Sequence, residues 1–345
     1  LSQPAYRKRA WATDNWNAKV YTKLAGQVAR HIATHYPDDR SGIVIAQVVE
    51  GRVPGVRNLK KIESDMREWD RTVATVPNAN AVIIHPYVFS EKRFIERVLG
   101  ESPNAERLQG LLNRLDDVRW RWLFACAQEV PDLYLDQVRN RFPGKSVWIT
   151  EAGFSEDKKK GDYHVQQSMR RLLFNLSYFI TWMRRYPEWE TLLFHGLFSG
   201  KGHMAAYGPG LDVNANYLSY AYLARLLNDA EMVGYLDIEG GPTYKGAGEY
   251  ASADIRSLKG LYVRTNGGHQ RILLANTGPQ GVDVRLPFAI RARLMTSAEA
   301  LQPVFEIEPL AVSDAGSGTD EADRVWVPPF SVILVSDKPG DLAEF

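Results

Sequence analysis

Hydrophobic and polar positions alternate along the first 229 residues with two different periods. Val20, Leu24, Val28 and Ile32 recur every four residues and predict a helix from about Trp16 to His35, with Asp14 and Asn15 as candidate caps. The uncharged, β-branched run Ile43 to Val49 follows, as in strands buried on both faces of a parallel sheet. The pattern then repeats. Helical spacing over Leu59 to Val73 precedes an apolar run from Ala81 to Tyr87, and helical spacing from Glu91 to Arg141 precedes Ser146 to Thr150. A helix from Tyr163 to Arg185 leads to Thr191 through Leu197, and a last helix spans Asn214 to Leu227. Strand–helix alternation with short turns predicts right-handed βαβ units around a parallel sheet.

Beyond residue 230 helical spacing stops. Short β-rich runs take over at Met232–Ile238, Gly260–Arg264, Arg271–Ala275, Val282–Leu286, Ala292–Met295, Val304–Ile307, Val325–Val327 and Val332–Val335. Turn signals such as Asn266-Gly-Gly268 and Thr277-Gly-Pro279 separate them, and Ser313 to Glu321 reads as a flexible loop. Two domains are expected: residues 1–229, an α/β unit, and residues 230–345, an antiparallel β-sandwich. Four βα strands are half of a (β/α)8 TIM barrel, and a half barrel leaves two open parallel edges. The other strands are therefore expected before Leu1 or on another chain. A first residue other than Met, with no signal peptide ahead of it, fits a processed or truncated chain.

Composition narrows the class. The 345 residues carry a formal net charge of +1, which argues against nucleic acid as the main partner. No apolar run reaches the roughly 18 residues of a membrane span, so no membrane insertion is expected. The single cysteine, Cys126, lies in an apolar helical stretch and reads as a buried thiol. The histidines show no HExxH or comparable ligand spacing, so neither a catalytic metal nor another cofactor is expected.

Candidate chemistry sits at the strands' carboxyl ends, where barrel enzymes place it. Glu151 follows the uncharged run Val147 to Thr150 and precedes Ala152-Gly153, which reads as a turn. A carboxylate there needs partners or a function, and a helix terminus or an arginine would satisfy it structurally. His85 and Tyr87 end an earlier strand, and His195 and Phe198 end a later one. His85 and Tyr87 could equally be packing at a barrel rim. Lys158-Lys-Lys160 reads as a solvated loop or as attraction for an acidic polysaccharide, and the sequon Asn175-Leu-Ser177 is discounted because it falls within a helix.

Trp148-Ile-Thr-Glu-Ala-Gly153 resembles the nucleophile strand of the clan A retaining glycoside hydrolases. His85-Pro-Tyr87 resembles that clan's sixth strand, and Trp326 to Val335 resembles the closing strand of an appended sandwich. The resemblance covers about residues 15 to 336 at the level of order and architecture. It implies barrel strands five to eight in this chain and a retaining enzyme acting on β-linked polysaccharide or oligosaccharide, secreted or periplasmic. Glu151 would be the nucleophile and Tyr87 its hydrogen-bonding partner. His85, Trp148, His195 and Phe198 would lie on the substrate side, with no tryptophan ending strand eight as the clan usually has. The acid/base would end strand four, just upstream of Leu1. Glu50, the local substitute, falls one strand late and lacks the preceding Asn, and reads better as a rim or substrate-side residue. A non-catalytic carbohydrate-binding or structural protein on a degenerate barrel is the competing reading, and a transglycosylase a third.

Overall fold

The computed structural model describes residues 18–36, 43–45, 70–76, 79–89, 116–155, 169–194, 206–207, 212–213, 215–297, 312–314 and 323–342. By residue contacts the chain forms two compact units that interleave in sequence. One comprises Leu1–Phe89, Glu129–Phe154 and Arg185–His195, the other Ser90–Gln128, Ser155–Arg184 and Gly196–Phe345.

The first unit carries a parallel sheet. Its elements in chain order are helix α1 (Ala18–His35), strands β1 (Ile43–Ile45), β2 (Ala79–Ile84) and β3 (Tyr87–Phe89), the part of helix α2 (Asp116–Arg141) from Glu129 onward, strand β4 (Ser146–Ser155) and, later in the chain, strand β5 (Thr191–Phe194). β1 pairs with β2, β2 with β4 and β4 with β5, all parallel, which agrees with the uncharged runs read in the sequence. Tyr21 and Ala25 of α1 pack on a small core of Val73, Val76 and Ala79. Asp70 is tied to Arg141 at the end of α2 by a 2.7 Å ion pair. Cys126 is buried within α2 and free of any disulfide, as its apolar neighbours predict.

Two strand limits differ from the sequence reading, and both bear on the site. The expected strand Ala81–Tyr87 is split, because β2 stops at Ile84 and Tyr87 opens β3. Pro86 has no N–H to give a ladder, so the break falls where it must. The expected turn at Ala152-Gly153 is no turn, since β4 runs on to Ser155. Gly153 holds φ at 135°, a conformation that side chains other than glycine's rarely allow.

In the second unit, α3 (Met169–Arg184) and α4 (Ala215–Leu227) accompany a six-stranded antiparallel sheet. The short strands β6 (Ala206–Tyr207) and β7 (Asp212–Val213) pair with each other. The later strands are β8 (Ala230–Leu236), β9 (Thr243–Lys245), β10 (Asp254–Arg256), β11 (Leu258–Thr265), β12 (Gln270–Asn276), β13 (Val282–Arg285), β14 (Ala292–Ser297), β15 (Val312–Asp314), β16 (Arg324–Val327) and β17 (Ser331–Ser336). The sheet order is β15-β14-β17-β12-β11-β8. One face meets the separate β13–β16 ladder through Ile272, Leu274, Leu286, Phe288, Val325, Val327, Ile333 and Val335. On the other side α3 contacts β11, β12 and β17. Every residue of β17 is buried, which is why it reads as an unbroken apolar run rather than an alternation.

Several sequence expectations meet this unit differently. The β9–β10 ladder escaped the sequence reading because each strand has three residues and a single inward apolar side chain, Tyr244 or Ile255, too short a run to show a period. Ser313 and Asp314, read as the start of a flexible loop, belong to β15 and pair with β14. Val304–Ile307 and residues 315–322 lie outside the described residues. Asn175 and Ser177 are buried in α3, where Asn175 Nδ2 donates to Ser219 Oγ at 3.2 Å and Ser177 Oγ receives Lys259 Nζ at 2.8 Å. That burial removes the sequon from any glycosylating enzyme.

Candidate functional site

The β2–β4 ladder ends on the rung Ile84–Ile149, and the β4–β5 ladder shifts register between Ile149 and Ala152. Just past that point the polar side chains gather. His85, one residue beyond Ile84, is level with Thr150, one beyond Ile149, and its Nε2 lies 2.9 Å from Thr150 Oγ1. The chain turns at Pro86, with the Tyr87 amide on the His85 carbonyl at 3.0 Å, and continues as β3 beside β4. That turn carries the Tyr87 hydroxyl to Glu151, where it donates to Oε2 at 2.8 Å. His85 Nδ1 is 3.6 Å from the same oxygen, too far for a hydrogen bond but close enough for charge attraction when the ring is protonated.

The electrostatics follow from partial burial. The Glu151 side chain is 34% exposed and that of His85 21%, so the carboxylate is anchored yet open to solvent. Burial raises the Tyr87 phenol well above its ordinary value, and the hydrogen bond to Glu151 and that residue's charge push it further the same way. Tyr87 therefore stays protonated and remains a donor over the whole range in which a folded protein works. A carboxylate with one oxygen held by a neutral donor is suited to nucleophilic attack, because its direction is set.

Other sequence candidates fall elsewhere. Trp148 is placed apart from the Tyr87–Glu151 pair. Its indole Nε1 donates to Glu190 Oε2 at 2.9 Å, and its backbone pairs with Thr191, the first residue of β5. It thus stands toward the amino end of the sheet, three residues, or about 10 Å of strand, before Glu151. Glu50, His195 and Phe198 lie outside the described residues. Thr150 is the site neighbour that sequence reasoning passed over. Its signal was present, since it is a hydroxyl between a buried Ile149 and a candidate nucleophile.

No family model matches the chain. No curated protein matches it in sequence. Solved structures do match, and at identities of 11–13% the likeness is one of fold. A family 51 α-L-arabinofuranosidase from Bifidobacterium longum superposes with a TM-score of 0.64 at 13% identity, covering 96% of this chain and 65% of its own. An α-L-arabinofuranosidase from Thermotoga maritima gives 0.58 at 11%, covering 97% and 65%. A family 86 β-porphyranase from Bacteroides plebeius gives 0.55 at 12%, covering 96% and 54%. This chain thus spans less than two thirds of the length of each of these proteins.

Proposed function

We propose that this chain belongs to a retaining glycoside hydrolase and carries its nucleophile, Glu151. In this reading residues 1–229 are the C-terminal half of a TIM barrel, strands five to eight, and residues 230–345 form a β-sandwich. The observation that carries it is the 2.8 Å hydrogen bond from Tyr87 to Glu151, made just past the last paired rung of two adjacent parallel strands. Barrel enzymes place their chemistry at that end of the strands.

The chemistry proceeds in two displacements. A Glu151 oxygen attacks the anomeric carbon, the bond from that carbon to the leaving oxygen breaks, and a second carboxyl protonates that oxygen. Water, deprotonated by the same second carboxyl, then displaces Glu151 and restores it. Tyr87 holds Oε2 through both steps. The second carboxyl must stand about 5–5.5 Å from Glu151 in a retaining enzyme. The proposed source is a strand before α1 or on another chain, with Glu50 as the local alternative. His85, tied to Thr150, lines the sugar side, and the sequence resemblance offers His195 and Phe198 as further substrate contacts. The substrate is a polysaccharide or oligosaccharide, and the proposed setting is secreted or periplasmic. The sequence resemblance points to β-linked bonds, whereas two of the compared structures are named for α-L-arabinofuranosides, so both bond types belong in the assay.

The test uses the full natural protein against a panel of aryl β-glycosides and an aryl α-L-arabinofuranoside. A 2-fluoro glycoside of the sugar that is cleaved should leave a covalent adduct on the peptide containing Glu151. Glu151→Gln should fold normally and lose hydrolysis by about 1000-fold or more. Wild-type rates in that variant, or an adduct on another carboxylate, would remove Glu151 as nucleophile. Glycan binding by a wild-type protein that hydrolyses nothing would turn the reading into one of a carbohydrate-binding protein.

A further inference from the structure

The outer face of the β13–β16 ladder breaks the rule that an exposed strand face is polar. Asp283 pairs with Trp326 across the ladder and Arg285 with Arg324, and all four side chains point away from the core that Val325 and Val327 help to form. Three of the four are charged. Trp326 is 57% exposed, so most of the largest apolar side chain lies in water.

Its position is fixed from below. A Cβ built on Gly281 would fall on Cζ2 and Cη2 of the indole, so the ring occupies space that only a glycine leaves open. Two ion pairs flank it, Arg324 with Asp283 at 3.3 Å and Arg285 with Asp323 at 2.8 Å. Exposed pairs of this kind add little stability, and each is internally neutral. They leave carboxylate and guanidinium groups beside the ring for hydroxyl partners.

Size and charge together select the occupant. A protein partner needs roughly 800 Å² on each side and an apolar centre of several residues, whereas this face offers one ring among charges. A sugar ring presents a small C–H face to stack on the indole and a rim of hydroxyls for the flanking Arg and Asp groups. We infer that Trp326 is a stacking platform for a neutral polysaccharide chain, a binding site on the β13–β16 ladder in addition to the one at Glu151. The ligand class rests on the glycoside hydrolase reading, and the site deepens it by naming a second contact with the polymer.

The test separates the two. In the Glu151→Gln background, which prevents degradation, native affinity gels are run with xylan, arabinan and β-glucan, and with polygalacturonate as the anionic arm. At least one neutral polymer should retard the protein. Trp326→Ala should weaken that retardation by about tenfold or more, Trp326→Tyr should retain much of it, and Gly281→Ala should weaken it by displacing the ring. On the otherwise wild-type protein, Trp326→Ala should leave hydrolysis of the small aryl substrate unchanged. No retardation by any neutral polymer overturns the site, as does equal retardation of wild type and Trp326→Ala, or retardation by polygalacturonate alone. Acrylamide that quenches wild type and Trp326→Phe alike shows the ring already covered, and also overturns it. Loss of hydrolysis in Glu151→Gln is read on a separate assay, so either proposal can fail while the other stands.

Discussion

A carboxylate gripped by a phenol on one oxygen and left a third exposed can move little and still be reached, which is the balance a nucleophile needs. Tyr87→Phe removes the grip and keeps the ring. The expected result is a fall in kcat of about 10- to 1000-fold with KM changed far less, since the lost hydrogen bond acts on the reacting group. An unchanged kcat would show that the contact is only packing. At this scale the sequence was informative about which residues matter and silent about their partners. Glu151 and Tyr87 stand out because each interrupts or ends an uncharged run. That His85 would meet Thr150, and Trp148 would meet Glu190, depends on the register between strands 42 to 65 residues apart, which no local pattern encodes.

Elements in the second unit are clasped by polar groups that the apolar pattern hides. Arg271 of β12 is 5% exposed and grips Asp341, 6% exposed, through two bonds of 2.5 and 2.7 Å. Its third nitrogen reaches the carbonyls of Arg225, at 3.0 Å, and Asn228, at 2.6 Å, at the end of α4. One guanidinium thus reaches the end of α4 and ties the C-terminal turn to the sheet. Arg271→Met should destabilise the protein by about 3–5 kcal/mol, because a buried carboxylate and the helix end lose their partner together. Adding Asp341→Asn should recover part of that loss, and strict additivity in denaturant unfolding would show that the pair is not coupled. The acid side has a definite sign. Burial raises the Asp341 pKa, but hydrogen bonds from Arg271 and Ser336 outweigh it and the net shift is downward. Its contribution is complete above the ordinary carboxylate value and is lost as pH falls through the lowered one. The sequence marked Arg271 only as the first residue of a strand.

Across the whole molecule, buried tyrosines set an alkaline limit. Burial raises Tyr220 to about 12 and carries Tyr87, Tyr222 and Tyr244 higher still. In the unfolded chain these phenols ionise near 10, so above that pH the unfolded state releases protons that the folded state keeps. Stability should therefore fall as pH rises from 10 toward 12, with no pH dependence from these groups between pH 7 and 9. Urea midpoints across that range test it, and a flat profile above pH 10 would contradict the burial of these rings.

What the sequence by itself determined is the order and kind of the long helices and buried strands, the change from parallel to antiparallel grammar near residue 230, and a carboxylate following the uncharged run of β4. Burial leaves a local periodic trace, so each of these could be read within a window of a few turns or strands. Only the tertiary structure decided that β4 continues past Glu151, that Pro86 turns Tyr87 onto it, that α3 is buried along nearly its whole length, and that Trp326 stands in water over Gly281. These depend on register and on packing between residues far apart in the chain. Local hydrophobic spacing carries no information about which distant surface a side chain will meet.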